Sequence, residues 1–132
     1  MAIRIVQLGA ERHPGEGLRL GAVRRPPRGV KKEDWARDDW FDQWLPDLAP
    51  SAELVKFHHE ERPIGDARWK KFASRYRKEM ATPEAQRLVA LLAALSHHAA
   101  FSVGCYCEDG TRCHRSLLKE MLEQHGAEVA EP

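Results

Sequence analysis

Phe101-Ser102-Val103-Gly104-Cys105-Tyr106, read with the Ala99-Ala100 before it, decides the fold. The run is short enough for one strand and lacks the polar alternation of a half-exposed one, so it reads as a buried strand of a parallel sheet. The opening Ile3-Arg4-Ile5-Val6-Gln7-Leu8 is rich in β-branched residues and is followed by Gly9 and the Pro14-Gly15 turn signal, which predicts a second, central strand. A third is expected over Leu18 to Arg24, where Pro26-Pro27 and Gly29 then force an irregular loop. Trp40, Phe41, Trp44, Leu45 and Leu48 recur at helical spacing and predict a helix ending near Pro46 or Pro50. Ser51 caps a short helix through Leu54 and Val55. Asp66 caps a longer one, with Trp69, Phe72, Ala73, Tyr76 and Met80 on its inner stripe. Thr82-Pro83-Glu84 opens a helix carrying Leu88, Val89, Leu91, Leu92 and Leu95 to about Ser96. Leu117, Leu118, Met121 and Leu122 mark a last helix stopped by Gly126. Strands separated by helices predict an α/β fold, a small three-layer helix-sheet-helix domain with a mainly parallel sheet.

Composition sets broader limits. The 132 residues fit a single domain, 1–132, against about 100–200 residues for an ordinary one. Leu, Ile, Val and Phe supply 27 of the 132 residues, with four Trp and a net charge of +1, which suits a compact core and excludes a disordered chain. No apolar run approaches the roughly 18 residues of a membrane span, and Met1-Ala2-Ile3-Arg4-Ile5 lacks the apolar centre of a signal peptide. A cytoplasmic location without a membrane partner is expected. The 21 basic and 20 acidic residues nearly cancel, so a nucleic-acid partner would need a local basic patch. Nothing in the pattern sets an oligomeric state.

Unusual chemistry concentrates directly after the decisive strand, in Cys105-Tyr106-Cys107-Glu108-Asp109-Gly110-Thr111-Arg112-Cys113-His114-Arg115-Ser116. In open α/β sheets ligands bind beyond the carboxyl ends of strands, and the free N–H groups of a following helix attract anions. Arg112 and Arg115 add bidentate geometry suited to phosphate or carboxylate. Cys113 falls at the helix start between Arg112, His114 and Arg115, which favours a thiolate, whereas Cys105 continues a buried strand and Cys107 adjoins the negative Glu108 and Asp109. Cys113 is thus the expected reactive thiol. Cys113 as nucleophile, His114 as general acid or base, and Arg115 form the candidate catalytic set.

Two other readings fit this loop. Cys105, Cys107, Cys113 and His114 have the ligand types of a Cys3His zinc site, but the adjacent Cys113-His114 pair departs from the usual spacers of two to four residues. No metal and no cofactor are therefore expected. Cys107-Glu108-Asp109-Gly110-Thr111-Arg112 has the Cys-x-x-Gly-x-Arg form of a rhodanese loop, a sulfurtransferase cradle, although its acidic pair opposes an anionic sulfur donor. The bland reading makes Cys105 a core residue and pairs the arginines with Glu108 and Asp109.

A second cationic cluster, Arg24, Arg25, Arg28, Lys31 and Lys32, lies on the proline- and glycine-shaped loop, ahead of the acidic Glu33, Asp34, Asp38, Asp39, Asp42 and Asp47. Such a loop can close over an anion held at the Cys113 helix. Arg24, Arg25, Arg28, Lys31, Lys32 and Arg112 are accordingly the expected ligand-binding residues, with Arg25 and Arg28 sharing a pocket with Cys113, His114 and Arg115. Adjacent histidines such as His58-His59 project about 100 degrees apart on a helix, so at most one faces a site.

The Cys105-x7-Cys113-His114-Arg115 pattern, followed by an amphipathic helix, resembles the Cys-His-Arg signature of the bacterial and archaeal domain of unknown function 488 family. The N-terminal half is similar to the YeaO-like branch of that family in Arg25-Pro26-Pro27-Arg28-Gly29-Val30-Lys31-Lys32-Glu33-Asp34, in Leu48-Ala49-Pro50-Ser51 with Glu53-Leu54, and in Phe57-His58-His59 with Trp69, Phe72 and Tyr76. The resemblance covers nearly the whole chain. It implies a small three-layer α/β domain and no established activity, because fold does not fix function. Two function classes follow: a site for a phosphate- or carboxylate-bearing small molecule at the Cys105–Arg115 junction, with rhodanese-like thiol chemistry as its alternative, or a nucleotide- or nucleic-acid-binding module without catalysis. The small anionic ligand is favoured over nucleic acid, since net charge is near zero and no recognition motif is present.

Overall fold

The architecture comes from a computed structural model, which describes residues 2–130. Four strands, β1 (Ile3–Gln7), β2 (Leu18–Gly21), β3 (Gln43–Trp44) and β4 (Phe101–Cys105), form one sheet in the order β1-β4-β2-β3, and every pair is parallel. The two segments expected at the centre pair directly, from Ile3 opposite Phe101 to Gln7 opposite Cys105. On its other side β4 pairs with β2. A strand flanked on both edges and both faces has no water to meet, which is why all five residues of β4 are buried and none is charged.

The helices are α1 (Ala52–His59), α2 (Asp66–Glu79), α3 (Pro83–Leu95) and α4 (His114–Gln124). Ser51 Oγ accepts from the Leu54 amide at 3.2 Å, and Thr82 Oγ1 from Ala85 at 3.3 Å with Pro83 at the first helical position. Gly65 takes the cap of α2, so Asp66 begins the helix instead of capping it. Gly126, at φ +85°, follows α4 in the left-handed conformation that glycine tolerates.

Ile3, Leu20, Phe101 and Val103 on one sheet face join Leu54, Phe72, Tyr76, Val89, Leu118 and Leu122, drawn from all four helices, in the main core. Each fully buried side chain of this size stabilises by about 1.5–3 kcal/mol relative to exposure. The layer over the other face is loop with one 3-10 turn, Lys32–Asp34. There Phe41 lies on Gly21, where an added Cβ would sit 2.3 Å from the ring, so only glycine lets the aromatic reach the strand. Beside it a fully buried ion pair is closed: Arg19 Nε donates to Glu16 at 2.7 Å, Arg19 Nη1 donates to the Ala10 and Asp39 carbonyls, and Ser102 Oγ donates to Glu16 at 2.7 Å.

Two local expectations are corrected. β2 stops at Gly21, three residues before Arg24. No helix forms over residues 40–48: Gln43–Trp44 is a strand beside β2, with the Leu45 amide donating to Gly21 at 2.9 Å, and Pro46–Leu48 is a 3-10 turn. The apolar residues there serve two cores, Leu48 under the helices and Phe41 on the opposite face against Trp35. Helical spacing requires one face, and the positive φ of Asp39, +62°, turns the chain before the stretch begins. After α4, residues 128–130 return beside β1, the Ile3 amide donating to Glu128 and the Ala130 amide to Ile3, both at 2.9 Å. Among the described residues no helix is long and apolar enough to cross a membrane.

Candidate functional site

A cavity of about 740 Å³ opens at the carboxyl ends of β1 and β4. Gln7 and Leu8 line it from β1, Cys105, Tyr106 and Cys107 from β4 and its extension, Cys113 and His114 from the start of α4, and Val55, Lys56, His58 and His59 from α1. The loop after β2 closes it with Val23 to Arg28, and Trp40 forms a further wall. This loop is pinned by its backbone and by one guanidinium. Trp44 Nε1 donates to the Val23 carbonyl at 2.8 Å, Tyr106 Oη donates to the Arg25 carbonyl at 2.9 Å, and Arg24 donates to the carbonyls of Pro46, Ala49 and Pro50. The side chains of Arg25 and Arg28 are exposed at the cavity and have no partner among the described residues. Among the described residues no carboxylate lines the cavity, while Arg24, Arg25, Arg28 and Lys56 do.

The floor is built of sulfur and imidazole. Cys105 Sγ and Cys113 Sγ are 2.8 Å apart and both buried, and Cys107, half-buried, lines the same cavity. The neighbouring thiols of Cys105 and then Cys113 hold the Cys107 thiol below its ordinary range. The same neighbourhood pushes the other two thiols up: Cys105 chiefly through Cys107, Cys113 through Cys105, Cys107 and burial. Burial lowers His114 to about 4, so its ring is neutral at pH 7. Its Nε2 is 2.6 Å from the Ala22 carbonyl and therefore carries the hydrogen, which leaves Nδ1, 3.5 Å from Cys113 Sγ, as the lone-pair nitrogen. His58 is fixed likewise, its Nε2 2.6 Å from the Arg112 carbonyl. Donors of metal-binding type stand in two groups, His58, His59 and Cys107, and Cys105, Cys113 and His114, with ligand atoms within 4.8 Å inside each.

A family model described as the active DUF488-N3 subclade matches residues 3–126. The chain belongs to the DUF488 family. Its sequence is also similar to proteins of Mycobacterium bovis and of two Mycobacterium tuberculosis strains, each called uncharacterised, at 27% identity over 120 residues covering 91% of this chain and 92% of theirs. No solved structure matches it.

Of the residues singled out in this DUF488 chain, Arg24, Arg25, Arg28, Cys113 and His114 share the cavity. Arg115 lies behind it, donating to the Val6 carbonyl at 3.0 Å and to Glu108 at 3.3 Å. Arg112 turns outward to the Ile64 carbonyl and Asp66. Lys31 and Lys32 are exposed and outside the lining. The Thr111 amide is spent on Asp109 at 3.0 Å, so neither it nor Arg112 is presented to Cys107 as a rhodanese cradle would require. Sequence reasoning passed over Lys56, Trp40 and Tyr106, and it assigned one of the two adjacent histidines to solvent although both line the cavity. Their signal was weak: residues of the DUF488 chain from α1 and from the loop before β3 meet β4 only through the tertiary fold.

Proposed function

We propose that the cavity binds a small molecule carrying a phosphate or carboxylate group. One observation carries this reading: among the described residues, four cationic side chains and no carboxylate line the cavity, in a chain with 20 acidic residues. Arg25 and Arg28 supply charge-assisted, fork-shaped donors, and Lys56 of α1 a third charge. Trp40, Leu8, Val55 and Pro27 give the apolar surface that an organic body needs. Arg112, Arg115, Lys31 and Lys32 support the anion site from outside the cavity, through loop order and long-range field. Three free thiols suit the reducing cytoplasm, the compartment proposed here. No metal or cofactor is invoked.

Trp40 stands edge-on to Tyr106 at 5.8 Å and reports on the cavity. Titration of its fluorescence with phosphate, sulfate, citrate and nucleotides should give saturable, salt-sensitive binding, and Arg25→Ala or Arg28→Ala should each weaken it by about tenfold. Binding that is unchanged in the double variant would refute the site.

A further inference from the structure

Anion binding alone does not call for three cysteines in one cavity, two of them in contact. Cys105 Sγ and Cys113 Sγ, both side chains 1% exposed, lie 2.8 Å apart, closer than unbonded thiols ordinarily approach. Cys107 lines the same cavity, is less buried than either, and is the sulfur that a solute there meets first. The arrangement is a surface-accessible thiol backed by a buried pair.

Resting on the anion-site reading above, we infer that the cluster is a thiol–disulfide exchange centre whose substrate is a low-molecular-weight disulfide bearing carboxylate or phosphate groups. The Cys107 thiolate attacks one substrate sulfur, forming a mixed disulfide as the substrate S–S bond breaks and one half departs as a thiolate. Cys113 then attacks Cys107 Sγ and expels the second half, its own proton passing by way of His114 Nδ1, 3.5 Å away. Cys105 next attacks Cys113 Sγ and releases Cys107, leaving a buried Cys105–Cys113 disulfide. The protons lost by Cys113 and Cys105 end on the two substrate thiols, so one disulfide is reduced for each dithiol oxidised. An external dithiol entering through Cys107 reverses the sequence and restores the reduced protein. Arg25, Arg28 and Lys56 hold the anionic substrate and favour each departing thiolate. The depressed Cys107 thiol supports its role as the attacking group.

The test mixes reduced full-length protein with oxidised glutathione, a carboxylate-rich disulfide, or with uncharged hydroxyethyl disulfide, followed by acid quench and peptide mapping. The expected product is a Cys105–Cys113 disulfide with Cys107 free, formed about tenfold or more faster with the anionic disulfide. High salt or Arg25→Ala with Arg28→Ala should erase that advantage. Cys107→Ser, a change at the half-exposed sulfur, should stop the reaction with the melting temperature kept, and Cys113→Ser should accumulate glutathione on Cys107. Thiol loss no faster than in an unfolded cysteine peptide, glutathione found on Cys105 or Cys113, or a metal ion held by the three thiols in the purified protein would each overturn the inference. If anions still quench Trp40 while no exchange occurs, only the exchange chemistry falls. If both disulfides react equally fast through Cys107 and anions do not bind, the anion site falls and the charged substrate class with it.

Discussion

Arg115 shows how a residue in a signature can act by support. Its guanidinium packs on Gly110, where an added Cβ would come 2.5 Å from Nε, and it bridges the Val6 carbonyl of β1 to the Glu108 carbonyl of the cysteine loop. Gly110→Ala should therefore push the guanidinium off Val6 and destabilise the protein by about 1–3 kcal/mol, read as a lowered denaturation midpoint. A second residue-scale case is Glu16. Burial would raise its carboxyl, but hydrogen bonds from Arg19 and Ser102 outweigh burial and bring it to about 2 from an ordinary 4.5. A carboxylate held down in the fold contributes fully above pH 4.5, and that contribution fades as pH falls toward 2. Unfolding measured from pH 7 to pH 3 should show wild type losing stability over this window and Glu16→Gln, already about 3–5 kcal/mol weaker at neutral pH because Arg19 is left unpaired, following a flatter course. The expected reactivity of Cys113 rested on its chain neighbours, and those neighbours are not its surroundings: Arg112 faces Asp66, while Glu108 and Asp109, held against Cys107 in the sequence reading, are exposed. What Cys113 Sγ meets is Cys105 Sγ, 2.8 Å away across the loop, a contact no local pattern displays.

Among the elements, those with a cap and a single apolar stripe were legible. Ser51 and Thr82 mark two helix starts, and the all-apolar Phe101–Cys105 marks the central strand. The segment before α1 was not, because Phe41 and Leu48 are claimed by opposite faces of the sheet and two-residue β3 is too short to carry a period. The cationic loop was legible as a cluster but not in its division of labour: Arg24 is spent on three carbonyls, and only Arg25 and Arg28 turn to the cavity unpaired. Tyr106 is the clamp that holds this loop to the end of β4. Tyr106→Phe should leave overall stability within about 1 kcal/mol, speed hydrogen exchange over residues 25–30, and weaken phosphate binding several-fold. Unchanged exchange in that loop would show that Trp44 and Arg24 suffice to hold it.

For the molecule as a whole, the parallel sheet and its surrounding layers place the cavity where α/β proteins carry their sites, and that much followed from the alternation of strands and helices. The return of residues 128–130 along β1 did not, since the segment is too short to read as a strand. Deleting the chain from Ala127 onward should remove the two backbone hydrogen bonds to Ile3, each about 0.5–1.5 kcal/mol, and bare a strand edge. A lower melting temperature with concentration-dependent association by light scattering is the expected readout. The strand order has a further bearing on how the chain comes into being. β4 is the strand that joins β1 to β2, yet it is the last to be synthesised. A nascent chain on the ribosome thus carries β1 for nearly a hundred residues of synthesis without a strand to pair with. Ribosome-stalled chains ending before residue 100 should be protease-sensitive throughout, and protection should appear only after β4 has left the exit tunnel, so the sheet closes and Cys105 meets Cys113 in one late event.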